Sequence, residues 1–258
     1  AIPSMEGLEL ASKVSTDKTY DLGYENDGAQ ALKKGLKKFE DSPAILSVQA
    51  EKALEIGKNE QAYALARKAL ERRPGDESVM PIFARAALAA GHIKEAMIAA
   101  ESALKTHPNN QFWIAILATG GRLEGQDYRY YYNYEKFVRP YDLAAPKGYS
   151  SIAEFNTALS KALYELHKYK DAPLYQSLRM GTQTHKDLRF SENPVIQSFF
   201  SLLEAPISDY MDAIGQDPTH PLTRRNSGKY RLSGAWSVRL TAGGHHVNHV
   251  HPQGWISS

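Results

Sequence analysis

Nine histidines and no cysteine bound the chemistry open to this chain. Four of the nine fall within seven residues, at His245, His246, His249 and His251. On an extended backbone alternate side chains share a face, so His245, His249 and His251 are expected to point one way and His246 and Asn248 the other. His249 and His251 are two apart, which puts their Cβ atoms about 6.5–7 Å apart by strand rise. Two imidazoles at that spacing can converge on one ion, and neutral imidazole suits Fe, Zn, Cu and Ni. His249 and His251 are therefore the expected metal ligands. The same cluster also fits a surface patch that takes up metal without specificity. Arg239, Asn248 and Gln183, with Arg179, are the candidates for lining a pocket beside the metal and holding a cofactor; ordinary strand and loop polarity is the plain alternative for each. The lack of cysteine excludes disulfides, thiolate metal sites, iron–sulfur clusters and a cysteine nucleophile. No Gly-rich phosphate loop and no Gly-x-Ser-x-Gly elbow occurs, which speaks against phosphate chemistry and against an elbow-type hydrolase.

The elements that must carry these residues follow from the pattern around them. From Lys229 the hydrophobic period is two: Tyr230, Leu232, Trp236, Val238 and Leu240 alternate with Arg231, Ser233, Ser237 and Arg239, which predicts a half-buried strand with Gly234 as a bulge. Ala242-Gly243-Gly244 predicts a turn, and a second extended segment is expected from His245. Upstream, Ser151 caps a helix running to His167, with Glu154 three residues on and an apolar stripe of Ile152, Phe155, Leu159, Ala162, Leu163 and Leu166. Pro194 to Ala213 predicts another helical stretch, broken or redirected at Pro206. Leu178 to Thr184 between them reads as a polar, extended loop. Val138 to Gly148, with Pro140 and Pro146, reads as a linker.

The first half of the chain repeats. A shift of 34 superposes Gly57 on Gly91, Ala62 on Ala96, Ala66 on Ala100, Leu70 on Leu104 and Pro74 on Pro108, and a further step carries Gly91 to Gly125 and Ala84 to Ala118. Small residues at Ala53, Ala62 and Ala66 allow close helix approach. Gly57 and Gly91 stand where a helix must end in a tight turn, and Pro74 and Pro108 stand where continuation is blocked. The pattern resembles the tetratricopeptide repeat, whose period is 34. Two full units run from about Ser42 to Asn110, a degenerate third from Gln111 through Gly125, and a half-unit from Ala31 to Pro43 is expected to cap the stack. Such stacks present a concave face, which implies a peptide or protein partner in the groove; a rigid spacer is the plain alternative. Tyr128, Tyr130, Tyr131, Tyr132 and Tyr134 crowd the third unit's second helix and are expected to contact another layer, between domains.

A family resemblance joins the two halves. Arg231-Leu232-Ser233-Gly234-Ala235-Trp236-Ser237-Val238-Arg239-Leu240, followed by Gly243-Gly244-His245-His246-Val247-Asn248-His249-Val250-His251-Pro252-Gln253-Gly254-Trp255-Ile256-Ser257-Ser258, resembles the tetratricopeptide-containing oxygenases that depend on 2-oxoglutarate and Fe(II). Leu178 to Thr184 and Phe137-Val138-Arg139-Pro140 resemble the same family. The resemblance implies a double-stranded β-helix, or jelly-roll, domain. It also implies Fe(II) as metal, 2-oxoglutarate as cosubstrate and C–H hydroxylation as reaction. In that family the iron is held by His-x-Asp/Glu on an early strand and a late-strand His. His249 matches the first ligand, and His251 stands where the carboxylate is usual, with His246 or His245 as substitutes.

The expected fold class is α+β: an all-α tetratricopeptide-like superhelix followed by the first part of a jelly roll that appears truncated at its C-terminus. Residues 1–27 form an extension, 28–140 the repeats and 141–258 the oxygenase part, with helices at 151–167 and about 194–213 and strands from about 229. Because a jelly roll has eight strands, turnover is not expected of the chain as it stands. Two alternatives remain open. One is a non-enzymatic repeat scaffold. The other is a cupin-type metalloprotein, whose motif Gly243 to His251 begins but whose following Glu is replaced by Trp255 and Ile256. Among 258 residues, 31 Lys and Arg against 29 Asp and Glu leave a net charge of +2, which gives no footprint for nucleic acid. No apolar run approaches the roughly 20 residues of a membrane helix, so no membrane partner is expected. The expected location is cytoplasmic, although a cysteine-free chain suits the periplasm equally.

Overall fold

The structure is a computed structural model that describes residues 41–168 and 177–257. It is a mixed helical and β protein. In chain order the elements are α1 (Pro43–Glu55), α2 (Asn59–Arg72), α3 (Met80–Ala89), α4 (Ile93–Thr106), α5 (Gln111–Leu123), α6 (Tyr134–Phe137), α7 (Ile152–Tyr164), β1 (Leu178–Gln183), α8 (Pro194–Leu202), α9 (Glu204–Ile214) and β2 (Val238–His246). Two compact units divide the described residues: 41–108 with 113–127, and 109–112 with 128–168 and 177–257. Among the described residues no helix is long and apolar enough to cross a membrane. The expected N-terminal extension and the half-unit from Ala31 lie outside the described residues, apart from the last few positions of the half-unit.

In the first unit the 34-residue shift is a geometric repeat. Ser42 starts α1 by accepting a hydrogen bond from the Ile45 N–H at 3.3 Å, with Pro43 in the first turn, where its missing N–H costs nothing. The helix stops at Gly57, whose φ is +72°. There the Lys58 N–H donates to the Ala53 carbonyl at 2.8 Å and the Gly57 N–H to Leu54 at 3.0 Å. That pair of bonds is a Schellman cap, in which a left-handed glycine lets the chain satisfy two orphan carbonyls. The same cap recurs 34 residues on, with Gly91 (φ +84°) and His92 bonding back to Leu88 and Ala87, and again with Gly125 (φ +75°) and Gln126 bonding back to Arg122 and Gly121. Between the caps, Ala62, Ala66, Ala84, Ala96 and Ala100 are all fully buried, so α1 lies on α2, α2 on α3 and α3 on α4 with backbones close. Leu46, Ala69 and Val79 form a core cluster flanked by Leu65 and Leu70. Tyr63 on α2 donates its hydroxyl to Glu95 on α4 at 2.8 Å and stacks on His92 at 3.8 Å between ring centres. Burial, then the Glu95 carboxylate, raises the Tyr63 pKa above its ordinary value.

The tyrosine-rich stretch departs from a second helix for the third unit. It forms a 3₁₀ turn at Tyr128–Tyr130 and the single turn of α6, capped by Asn133. The Tyr130 hydroxyl donates to the Thr219 carbonyl at 3.1 Å, within the second unit.

The second unit is held by longer-range pins. Ser151 caps α7 as its sequence demands, accepting from the Glu154 N–H at 3.2 Å, and α7 buries Phe155 and Ala162. Ala162 packs with Leu188 and Ile196 of α8, surrounded by Leu159, Leu163, Val195 and Phe200. The stretch from Pro194 does divide: α8 ends at Leu202, and Pro206, which has no N–H to give back to that turn, lies in the first turn of α9. Asn226, nearly buried, donates through Nδ2 to the Met211 carbonyl at 2.7 Å and the Gly215 carbonyl at 3.1 Å, closing the end of α9.

β1 and β2 form an antiparallel ribbon. Leu178 to Gln183, read from sequence as a loop, is therefore a strand. β2 begins at Val238 rather than at Lys229. The backbone before it is diverted from a ladder by Asp187 and its surroundings: the Ala235 N–H donates to Asp187 Oδ1 at 3.2 Å, the Leu188 N–H to the Ala235 carbonyl at 2.8 Å, and Arg189 Nη1 to the Leu232 carbonyl. Ala242-Gly243-Gly244 is not a turn but lies inside β2. Arg179 pairs with His245 and Gly181 with Leu240, so Thr241 to Gly244 bulge against Met180 alone. Both sides of the bulge need left-handed backbone, at Gly243 (φ +79°) and at Met180 (φ +54°). A Cβ on Gly181 would lie 2.6 Å from the Arg239 carbonyl oxygen, so the strands approach as closely as glycine permits.

Candidate metal centre

The histidine cluster sits where β2 runs out. Its anchor is the first residue ahead of β1: the Val247 N–H donates to the Ser177 carbonyl at 2.8 Å, and Ser177 Oγ lies 2.8 Å from His246 Nδ1. Beyond His246 the chain leaves the strand, so His249 and His251 are not carried on a second extended element. The face rule for a straight strand consequently fails. His249 becomes the middle ring of three, its centre 5.7 Å from that of His246 and 5.2 Å from that of His251. His245 stands apart from this chain of rings, its Nδ1 facing its own neighbour's carbonyl, Gly243, at 3.4 Å. The Trp236 ring flanks His251 at 5.8 Å.

Hydrogen bonding sets which nitrogens are open. His249 Nδ1 lies 2.9 Å from the Val247 carbonyl, which can only accept, so in the neutral ring Nδ1 carries the proton and Nε2 the lone pair. Ser177 Oγ engages His246 Nδ1 and orients that ring, but a hydroxyl can give or take the proton, so this contact leaves the His246 tautomer open. An imidazole fixed through one nitrogen with the other open is the orientation metal-ligating histidines adopt. All three rings are exposed, so turning them needs no repacking of a core. Among the described residues no three His, Asp or Glu side chains already stand in metal-holding geometry. The arrangement is thus an open cluster of nitrogen donors whose chemistry fits a late first-row ion rather than Mg or Ca.

Of the other residues singled out from sequence, Asn248 lies between His246 and His249 and is exposed. Arg239 and Gln183 lie at the opposite end of the ribbon: Arg239 pairs with Thr182 and Gln183 with Val238. The Arg239 guanidinium sits over the Tyr164 ring at 4.3 Å. The structure does not bring these two side chains to the imidazoles.

That far end holds a polar cluster that no spacing in the sequence signals. His167 Nδ1 lies 2.8 Å from Thr182 Oγ1 on β1 and its Nε2 3.1 Å from Ser237 Oγ just before β2, while the Ser237 N–H donates to the buried Thr184 hydroxyl at 3.0 Å. Burial, then the charge of Arg239, holds the His167 pKa below its ordinary value. Asp187 is held below the usual carboxylate range, first by its hydrogen bonds from the Arg189 guanidinium.

No protein-family model matches the chain, and no curated protein and no solved structure matches it either.

Proposed function

We propose that this chain is the repeat-bearing front part of a non-haem Fe(II)- and 2-oxoglutarate-dependent oxygenase of the C–H hydroxylating type. The observation that carries the reading is the His249–His251 pair, with rings 5.2 Å apart and the His249 lone pair at Nε2. The ribbon of β1 and β2 ends at His246, three residues ahead of His249, and the reading takes these two strands as the portion of a jelly roll present here; a complete one has eight. The 34-residue recurrence of caps and buried alanines supports a tetratricopeptide-like first unit, whose part in the reading is to dock a peptide or protein.

His249 and His251 would hold the iron. When bound, Fe(II) would supply the oxygen activation, coupled to decarboxylation of 2-oxoglutarate, that drives attack on a C–H bond. The chain's own residues do three things. The Val247 carbonyl fixes the His249 tautomer, Ser177 ties the end of β2 to β1, and the Trp236 ring shields one side of His251. Asn248, alone of the three expected cofactor-binding residues, is next to a cluster histidine in the chain and exposed, and it is the one kept for contact with the cosubstrate.

The test is anaerobic. Fe(II) with 2-oxoglutarate should raise the melting temperature and quench tryptophan fluorescence, by ligand linkage, and His249→Ala should abolish both. A repeat scaffold without enzyme chemistry shows neither effect. A cupin-type metalloprotein shows the metal effect and is indifferent to 2-oxoglutarate.

A further inference from the structure

We infer that His246 is the third metal ligand, so that a single ion is held by His246, His249 and His251 with no carboxylate from this segment. The inference deepens the oxygenase reading and rests on it for the cosubstrate, but not for the metal site itself.

Three observations carry it. First, metal–nitrogen bonds of about 2.1 Å, with ring centres about 1.1 Å farther out, put the centres of two imidazoles on a tetrahedral ion about 5.2 Å apart. The two adjacent separations here are 5.7 and 5.2 Å, and His249 is shared by both. For one ion to be held by all three, the His246 and His251 rings must come to the same separation, and all three rings are exposed. Second, His246 and His249 are both held at Nδ1, by Ser177 Oγ and the Val247 carbonyl, so the contact made by each ring is on the nitrogen away from Nε2. The carbonyl sets the His249 lone pair at Nε2, and the Ser177 hydroxyl is compatible with the same tautomer of His246. His245 is not part of this chain of rings; its Nδ1 faces the Gly243 carbonyl. Third, no Asp or Glu occurs anywhere in residues 218–258, so the segment that carries the two expected ligands offers nitrogen donors and no carboxylate.

The chemistry of the site changes accordingly. Three neutral ligands leave the full double charge of the ion in place, whereas a facial set with a carboxylate cancels part of it. An anionic, bidentate ligand should therefore be drawn to the open positions more strongly, and borderline ions such as Ni(II), Co(II) and Zn(II) should compete well with Fe(II).

The experiment is a Co(II) titration of the full chain, followed by visible absorption and by calorimetry. One ion per chain is expected, with visible ligand-field bands shifted and intensified relative to those of the hydrated ion. Loss of even an outer-shell partner commonly weakens a metal site about 10–100-fold, so His246→Ala, His249→Ala and His251→Ala should each weaken binding by about tenfold or more. His245→Ala should bind as the parent does, and the circular dichroism of all four metal-free variants should be unchanged. If His246→Ala binds normally while His249→Ala and His251→Ala do not, the third-ligand assignment falls and the oxygenase reading stands. Equal, shallow losses in all four variants, or more than one ion per chain, would mean a nonspecific patch and overturn the inference. If the three-histidine dependence holds but 2-oxoglutarate leaves affinity and spectrum unchanged, the inference survives and the oxygenase reading is the one that fails.

Discussion

The two units are stabilised by different kinds of information. In the first, every stabilising device lies within one helix pair or between neighbouring pairs: a glycine cap, a buried alanine, a tyrosine reaching one repeat onward. In the second, the decisive contacts join segments far apart, such as Ala235 to Asp187 at a separation of 48 residues, Ser237 to Thr184 at 53 and His167 to Ser237 at 70. Local order can be added or lost one repeat at a time, whereas remote pins stand or fall together.

The sharpest way to break this contrast is at Phe155, 1% exposed on α7. Phe155→Ala should cost about 3–5 kcal/mol, and hydrogen exchange should show loss of protection across the second unit, far beyond α7. Next comes Ala66→Leu in the first unit, where overpacking between α2 and its neighbours should cost about 1–3 kcal/mol. Exchange should then be confined to adjoining helices, and spread through the whole chain would refute the distinction. Asn226→Ala strips the end of α9 of two side-chain bonds and should cost a comparable amount, about 1–3 kcal/mol. A smaller effect is expected at the caps. Gly57→Ala and Gly91→Ala each put a Cβ on a left-handed residue, at about 1–2 kcal/mol. The two melting-temperature losses should match, because the turn is the same one repeated.

The smallest effect is a pH dependence confined to the second unit. The folded His167 pKa lies below its ordinary value, so the unfolded chain takes up the proton first. His167 therefore costs no stability above the ordinary histidine range. Stability falls as pH drops from that range toward the depressed folded value. Melting curves should show this loss on moving from about pH 7.5 to 5.5, and His167→Gln should flatten it. Asp187, also depressed, adds its loss only below the ordinary carboxylate range.

The same contrast explains what the amino-acid pattern disclosed. Gly57, Gly91 and Gly125, with the alanines between them, could be read because a 34-residue period and a cap requirement are local properties. The break before Pro206 and the Ser151 cap were legible for the same reason. The strand expected from Lys229 was not there because alternation reports only which side chains prefer burial. It does not report that Asp187 and Arg189 would claim the backbone of Leu232 and Ala235. Nor could a polar triplet such as His167, Thr182 and Ser237 be seen, since side chains at unrelated spacings leave no periodic trace. Of the candidate site, the closeness of His249 and His251 was legible, but the placement of His246 beside His249 in place of His245 was not. That exchange depends on β2 ending at His246, and the tie to Ser177 fixes that end.

The bulge opposite Met180 has a consequence for how this protein can vary. Because four residues of β2 answer to one of β1, Leu240 and His245 meet positions on β1 only two apart. Facing beyond the bulge is therefore set by the pairing of His245 with Arg179 and not by the number of residues looped out before it. The Thr241–Gly244 segment can lose or gain a residue with that pairing kept, whereas a one-residue slip of the pairing itself would leave all four imidazoles in the chain and yet turn the ribbon's end over. Register, more than composition, is what such a cluster depends on.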